Sequence, residues 1–196
     1  MFSPSLSDSI LRHGFAHIPG YLSNRELTAA IASVERLNLE RAPEVIGQVH
    51  QRLSSTRFSF GIAPYPIRFI GDRLRDEVVA PLLRLKAGNS DAWPSEVTVA
   101  RYERGDGISK HRDHLCYQSV IALCSLVGTG AMEVLVDESS VELALSAGDL
   151  VLLGAPRISQ RPAHSVCTLS RYRLSLGYRL CTADQVASRS DRAVAQ

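Results

Sequence analysis

The pattern of apolar and polar positions predicts an amphipathic helix near the start of the chain, over residues 24–39. Its apolar positions recur at the spacing of one helix face, at Leu27, Ile31 and Val34. Ser23 and Glu26 form a capping box before them, because the serine hydroxyl and the glutamate carboxylate can each accept a free amide of the first turn. A helix start is therefore expected directly after Ser23.

Two further elements are predicted in the first half of the chain. Residues 14–22 form a short strand that ends in Pro19-Gly20, a dipeptide typical of turns. A second helix is expected over 72–86, with apolar positions at Leu74, Val78, Leu82 and Leu85. Pro81 lies inside it, and proline both lacks an amide hydrogen and collides with the preceding turn. We therefore expect a kink or a helix start near Pro81.

From residue 96 onward, short β-type runs alternate with glycine-containing turns. The predicted strands cover 96–102, 119–126, 133–136, 150–153 and 171–180. Helices followed by many short strands indicate an α+β fold, mainly β, in which N-terminal helices pack on one sheet of a double-stranded β-helix, or jelly roll. We expect one domain over 1–187, with its jelly-roll core at about 96–180, and a polar C-terminal tail over 188–196.

Composition agrees with a globular domain and excludes few functions. Of 196 residues, 45% are hydrophobic and 21% are charged, with a formal net charge of +2. No apolar run approaches the roughly 18 residues of a membrane helix. Because the first residues also lack a secretion signal, we expect a cytoplasmic protein with four reduced cysteines. The absence of a Lys/Arg cluster argues weakly against a polyanionic partner.

Two histidines and one aspartate form a candidate metal site. His111 and Asp113 are two residues apart, so both side chains would share one face of an extended segment. His164 stands at the start of a later predicted strand and can complete the set. Two imidazoles and one carboxylate leave half of an octahedral ion open, as in non-haem Fe(II) oxygenases. Zinc on the same ligands, or three unrelated polar residues, are the alternatives.

An arginine-bearing strand follows these candidate ligands. Arg173, Ser175, Gly177 and Arg179 alternate with apolar residues and therefore share one face. A guanidinium can bind a carboxylate through two parallel hydrogen bonds and stays charged inside a protein. This face therefore suits the distal carboxylate of 2-oxoglutarate. Arg171 lies on the same face and is an alternative anchor.

The residues around the triad resemble those of AlkB-like 2-oxoglutarate oxygenases. The segment from Tyr102 to Asp113 reads Tyr-Glu-Arg-Gly-Asp-Gly-Ile-Ser-Lys-His-Arg-Asp and is similar to the family's Y-x-x-G-x-x-I-x-x-H-x-D signature. Arg173 and Arg179 match the two ends of the family's R-x-N-x-T-x-R motif. The resemblance covers residues 96–180 closely and the N-terminal part loosely.

This resemblance implies Fe(II) bound by the triad, with 2-oxoglutarate and O2 as co-substrates. Arg173 and Tyr102 would hold the distal carboxylate, and Arg179 would lie near the keto-acid end. Ser175 replaces the family's asparagine and can still donate one hydrogen bond. The implied reaction is hydroxylation of an unactivated C–H bond with release of succinate and CO2. Because Asp113 is present, chloride has no open coordination position as it has in the related halogenases.

Departures from the family pattern favour a small substrate. Ala100 stands where the repair enzymes carry asparagine, and Gly177 stands where they carry threonine. The segment 51–71, which corresponds to the nucleotide-recognition lid, is short. We therefore expect a small-molecule substrate, amino-acid-like or of natural-product type.

The candidate substrate-binding residues are Phe58, Phe60, Tyr65 and Arg57. The aromatic residues could stack on an extruded base, but aromatics in an apolar-rich run more often belong to a core, and an arginine of this kind is more often a solvated charge. Oxidative demethylation of alkylated bases in DNA or RNA is the main alternative function. Hydroxylation of a protein side chain and a non-catalytic binding module also stay open.

Overall fold

A computed structural model describes residues 4–85, 92–169 and 171–181. Its helices are α1 (Pro4–His13), α2 (Asn24–Val34), α3 (Tyr65–Leu74) and α4 (Ala80–Leu85). No helix in these ranges is long and apolar enough to cross a membrane. The C-terminal tail predicted at 188–196 lies outside the described residues, and the extent of the domain therefore stays a prediction.

The capping box at the start of α2 is confirmed. The Ser23 hydroxyl accepts the Glu26 amide, and the Glu26 carboxylate accepts the Ser23 amide at 2.8 Å. The helix ends at Val34, earlier than predicted, because the chain turns there and brings Leu37 and Leu39 against the core from outside the helix.

The second predicted helix begins earlier than expected and contains a π-turn. The helical run extends from α3 through a π-helix at Arg75–Val79 into α4, and Lys86 lies outside the described residues. In the π-turn the Ala80 amide donates to the Arg75 carbonyl. The turn directly precedes Pro81, which has no amide hydrogen for a regular helical bond. Of the two alternatives expected here, the structure has the helix start, because α4 begins at Ala80, next to Pro81.

Thirteen strands occur in the described part of the chain. They are β1 (Phe15–Ile18), β2 (Glu40–Arg41), β3 (Val45–Ile46), β4 (Val49–Arg52), β5 (Ser54–Ser59), β6 (Glu96–Tyr102), β7 (Gly107–His111), β8 (Tyr117–Val127), β9 (Gly130–Val136), β10 (Ser139–Leu145), β11 (Leu150–Gly154), β12 (His164–Val166) and β13 (Arg173–Cys181). The five strands predicted from residue 96 onward are all present. The hydropathy pattern does not predict β2 to β5 or β10, since their residues are mostly exposed or irregularly buried.

The strands form two antiparallel sheets. One has seven strands in the order β1-β11-β8-β13-β6-β5-β2, and the other has six in the order β10-β9-β12-β7-β4-β3. This is the jelly roll that the sequence predicts. The segment 51–71, which corresponds to the family's lid, forms the end of β4, β5, a short 3-10 turn and the first part of α3.

The seven-stranded sheet is buried on both faces. Leu174, Leu176 and Tyr178 of β13 belong to the cluster that also contains the buried faces of the helices. The alternate residues of the same strand, including Arg173 and Arg179, face the six-stranded sheet. The helices therefore pack on the outer face of this sheet, as predicted, and the space between the two sheets receives the polar residues.

Asp149 ties the β10–β11 turn to the N-terminal segment. Its carboxylate accepts the amides of Gly20 and Ser146, both at 2.9 Å, and lies 3.1 Å from Nε2 of His17. Burial alone raises the pKa of this carboxyl, but the two amides and His17 outweigh it. The net pKa lies below the ordinary value of 3.8. The charged form of Asp149 therefore stabilises the fold.

The substitution Asp149→Asn should lower the free energy of unfolding by about 1–3 kcal/mol at neutral pH, because one amide oxygen replaces a charged double acceptor. Since the folded pKa is the lower one, this contribution is complete above about pH 4 and is lost as the pH falls through the folded value. Urea unfolding at neutral and acidic pH should show a smaller acid-induced loss in the variant. The exposed Asp8→Asn serves as control, and an equal acid-induced loss in all three proteins would contradict the prediction.

Candidate metal centre

His111, Asp113 and His164 converge at one end of the space between the sheets. Each offers one ligand atom, and these atoms lie within 4.8 Å of one another. Nε2 of His164 is 3.4 Å from Oδ2 of Asp113, and the two imidazole centroids are 4.4 Å apart. Ligands about 2 Å from a common ion must be separated by distances of this order. The three residues that the sequence singles out can therefore hold one metal ion.

A β-bulge in β7 directs His111 into the pocket. His164 of β12 pairs with His111, and Val166 pairs with Ile108, so β7 has one more residue than β12 between these pairs. The extra residue shifts the alternation of side chains. As a result Ile108 and His111, three positions apart, line the same pocket. Asp113 follows just beyond the end of the strand.

The orientation of each histidine is fixed through Nδ1. The distance from Nδ1 to a backbone carbonyl is 2.8 Å for His111, to Ser109, and 3.3 Å for His164, to Pro162. Because a carbonyl only accepts, Nδ1 carries a hydrogen in both, and in a neutral imidazole Nε2 then keeps its lone pair for a metal. Burial lowers the pKa of His164 more than the nearby Asp113 raises it. His164 is therefore neutral at neutral pH, the form that binds a metal.

Asp113 has one carboxylate oxygen near a cation and one toward the histidines. Its Oδ1 lies 3.7 Å from Nε of Arg179, while Oδ2 faces His164. Burial raises the pKa of the Asp113 carboxyl, but Arg179 and the two histidines lower it by more, and the net pKa lies below its usual range. An ionised carboxylate is the required ligand form.

Two arginines connect the segments that carry the ligands. Nη1 of Arg161 donates to the backbone carbonyl of Asp113 at 2.6 Å. Nε of Arg112 donates to the backbone carbonyl of Arg161 at 3.1 Å. Arg161 precedes His164 closely in sequence, and Arg112 stands between His111 and Asp113. Each segment thus holds the backbone of the other through one arginine, a pairing for which the sequence contains no signal.

Arg173 is a buried cation without an acidic partner in the described ranges. Only 3% of the residue is exposed, and its contacts are the Ser125 hydroxyl at 3.4 Å and the ring of Tyr102 at 5.6 Å. Burial lowers the pKa of this guanidinium below its usual value. Burying a charge is costly unless an opposite charge or hydrogen bonds compensate. The position therefore favours binding of an anion.

The other residues of the arginine face surround this position. Tyr102 pairs with Arg173 across β6 and β13, and Ser175 follows Arg173 on the same face. Arg179 donates to the Thr98 hydroxyl at 3.2 Å. A Cβ atom at position 177 would come within 2.7 Å of Nη1 of Arg179, so glycine gives this guanidinium its space.

Arg171 is exposed and precedes the start of β13. It therefore lies outside the paired strand whose inner face carries Arg173. This placement favours Arg173 as the buried anchor for an anion.

Only one of the four candidate substrate-binding residues lines the pocket of the triad. This pocket, of about 400 Å³, includes Arg57 in its wall. Phe58 is the next residue on β5 and points to the other face, where it packs against the core together with Phe60. Tyr65 is 69% exposed on α3 and neighbours Phe69, away from the triad. The aromatic rings thus do not gather around the triad.

Glu40 and Gln51 also line the pocket, although the sequence analysis does not identify them. Both stand in short strands with little hydrophobic alternation. Their position depends on pairings with distant strands, so no local pattern marks them.

Known structures share this fold at low sequence identity, whereas no protein-family profile and no curated protein sequence matches the chain. A Pseudomonas putida prolyl-4-hydroxylase superimposes with a TM-score of 0.69 and 20% identity, over 93% of this chain and 100% of that one. The epimerase SnoN in complex with Fe3+, alpha ketoglutarate and nogalamycin RO gives 0.69 and 17%, over 91% and 83%. OsALKBH1 gives 0.62 and 14%, over 86% and 99%. The similarity establishes the jelly-roll fold of this chain.

The substitution Arg161→Gln should weaken the binding of a divalent metal about tenfold or more, because Asp113 loses the contact that holds its backbone. Titration with Co(II), followed by its absorption spectrum, measures both affinity and ligand geometry. Arg157→Gln, an exposed change in the same loop, is the matched control and should bind as the parent does. An unchanged affinity and spectrum for Arg161→Gln would contradict a positioning role.

Proposed function

We propose that this chain is an Fe(II)- and 2-oxoglutarate-dependent dioxygenase that hydroxylates an unactivated C–H bond of a small molecule. One oxygen atom of O2 enters the new hydroxyl group, and the other enters succinate as 2-oxoglutarate loses CO2. The proposal depends on one observation: a His-Asp-His triad shares the space between the sheets with Arg173, a buried cation that lacks an acidic partner in the described ranges.

The donor set of the triad fits Fe(II). Two neutral imidazoles and one carboxylate leave three positions of an octahedral ion, enough for a bidentate 2-oxo acid and O2. Zinc could bind the same ligands, but zinc chemistry does not require a second, buried carboxylate anchor. When bound, iron supplies the activation of O2 that oxidises the substrate. The similar structures of a prolyl-4-hydroxylase and of SnoN with alpha ketoglutarate support this choice.

Arg173 binds the distal carboxylate of 2-oxoglutarate in this proposal. Its buried guanidinium offers two parallel donors, and the low-dielectric surroundings strengthen the ion pair. The Tyr102 ring covers one side, and the Ser175 hydroxyl can donate one hydrogen bond.

Arg179 has a different role from Arg173 in this proposal. Its Nε lies 3.7 Å from one oxygen of Asp113, while the other oxygen lies toward His164 and would be the one to bind the metal. Arg179 would also border the keto-acid end of the co-substrate.

We infer an AlkB-like relationship from the Tyr102–Asp113 motif and the arginine pair, together with a substrate smaller than a nucleic acid. Ala100 lines the pocket, so a methyl group stands where the repair enzymes have an amide. Tyr65 and Phe69, the exposed aromatic pair of α3, lie outside the pocket and cannot stack on a base held there. These features favour an amino-acid-like or natural-product substrate over an alkylated base.

The substitution Asp113→Ala should abolish succinate release, because the metal loses its only anionic protein ligand. Succinate formed from 2-oxoglutarate under Fe(II) and O2, without added substrate, is the direct measurement. The exposed Asp8→Ala should retain the parental rate. Parental succinate release by Asp113→Ala would exclude the triad as the metal site.

The substitution Arg173→Ala should raise the 2-oxoglutarate concentration for half-maximal turnover by about tenfold to a hundredfold, as expected for loss of a charged hydrogen-bonded pair. Its effect on Fe(II) affinity should be small, since Arg173 is not a metal ligand. Arg171→Ala is the matched control with the same change on the exposed residue. If Arg171→Ala raised the requirement and Arg173→Ala did not, the carboxylate anchor would be Arg171.

A further inference from the structure

Two opposite charges line the pocket in front of the triad. Glu40 on β2 and Arg57 on β5 both belong to its wall. The strand register places Glu40 opposite Ser55, two residues before Arg57, so the two are diagonal neighbours on one face. Diagonal neighbours are about 7–8 Å apart at the backbone. Their charged ends can therefore reach one small polar group between them.

Within the described part of the protein, neither of these two side chains forms a close ion pair. Arg57 has a single long ion pair, from Nε to Oε1 of Glu96 at 3.8 Å, and its side chain is 49% exposed. Glu40 forms no ion pair within the described ranges. The neighbouring Arg41 differs, since it donates to both oxygens of Asp106 at 2.8 and 3.0 Å. The pocket thus presents one available acid and one available cation.

This charge pair selects among classes of ligand. The phosphates of a nucleic acid would be attracted to Arg57 but repelled by Glu40. A simple carboxylate would leave Glu40 without a partner, and a simple amine would do the same for Arg57. An α-amino acid carries an ammonium and a carboxylate on one carbon and satisfies both.

We infer that the pocket binds a free α-amino acid, with its carboxylate on Arg57 and its ammonium on Glu40. The inference rests on the proposed function, because the substrate side chain must extend from these charges to the triad. Arg57 pairs with Thr98 on β6, and Thr98 accepts from Arg179 on β13, which faces Asp113. Two strand spacings, roughly 10 Å, therefore separate β5, which carries Arg57, from β13, which carries Arg179.

The distance from the charges to the triad favours a side chain of several carbons. The pocket wall offers apolar surface to such a chain, from Ala42, Pro43, Ile46, Leu53, Ala100 and Ile108. A glycine or alanine substrate would not span the distance from the charge pair to the triad. The oxidised carbon is therefore a side-chain carbon, remote from the α-position.

The test uses full-length protein loaded with Fe(II) and 2-oxoglutarate and a panel of free L-amino acids, each also in N-acetyl and C-amide forms. Succinate release measures turnover, and anaerobic calorimetry measures binding. At least one free amino acid with a side chain of several carbons should raise succinate release above the substrate-free rate. Blocking either its amine or its carboxylate should weaken binding about tenfold to a hundredfold.

Two variants separate recognition from a general loss of structure. Arg57→Gln should remove the preference for the free acid over the C-amide, while the preference for the free amine persists. Glu40→Gln should remove only the preference for the free amine over the N-acetyl form. Arg84→Gln and Glu142→Gln, both exposed and outside the pocket wall, should keep both preferences. A purely structural role would weaken all ligands together.

The inference is overturned if no free amino acid binds, or if the blocked forms bind equally well. Tighter binding of a methylated single-stranded oligonucleotide would also overturn it. Substrate-free succinate release tests the proposed function separately. When that release is present and the panel is negative, only the amino-acid inference fails. A protein that binds neither Fe(II) nor 2-oxoglutarate would remove the proposed function itself.

Discussion

The burial of two guanidinium groups on the inner face of β13 is the constraint on which the site depends. Arg179 is compensated within the protein, since it faces Asp113, donates to Thr98 and lies over the ring of Tyr117. Arg173 has only a hydroxyl and an aromatic ring. A buried cation of this kind lowers the stability of the empty protein and is compensated when an anion binds. In the proposed function, the same strand therefore both contacts a metal ligand and provides the co-substrate site.

The two sheets contribute different parts of the site. The seven-stranded sheet, covered by helices on its outer face, carries the arginines and Thr98. The six-stranded sheet and the segments beside it supply the triad. His111 is directed inward by a bulge, and the Asp113 and His164 segments are connected through Arg161. The space between the sheets thus brings together a buried arginine and a candidate metal site whose residues are distant in sequence.

Local patterns predicted those parts of the molecule that depend on local physics. The capping box at Ser23 and the shared face of Arg173 and Arg179 follow from helix and strand periodicity, and the structure contains both. The β7 bulge before His111 and the contact of Arg161 with Asp113 depend on pairing between remote segments. A hydropathy pattern within one segment therefore does not predict the bulge or this contact. Phe58 is a further example. Strand alternation predicts that Phe58 and Arg57 point to opposite faces of β5, but it does not predict which face packs against the helices.

Charge also explains how one pocket can distinguish 2-oxoglutarate from an amino-acid substrate, although both contain carboxylates. In the proposed function the co-substrate is a dianion and suits the inner end of the pocket, where Arg173 and a metal held by the triad would supply the positive charge. In the amino-acid inference the outer position pairs Arg57 with Glu40. A second molecule of 2-oxoglutarate would meet repulsion from Glu40 there, whereas a zwitterion would meet attraction at both ends. Glu40 would thus act mainly by exclusion, keeping the outer position available for substrate when the co-substrate is abundant.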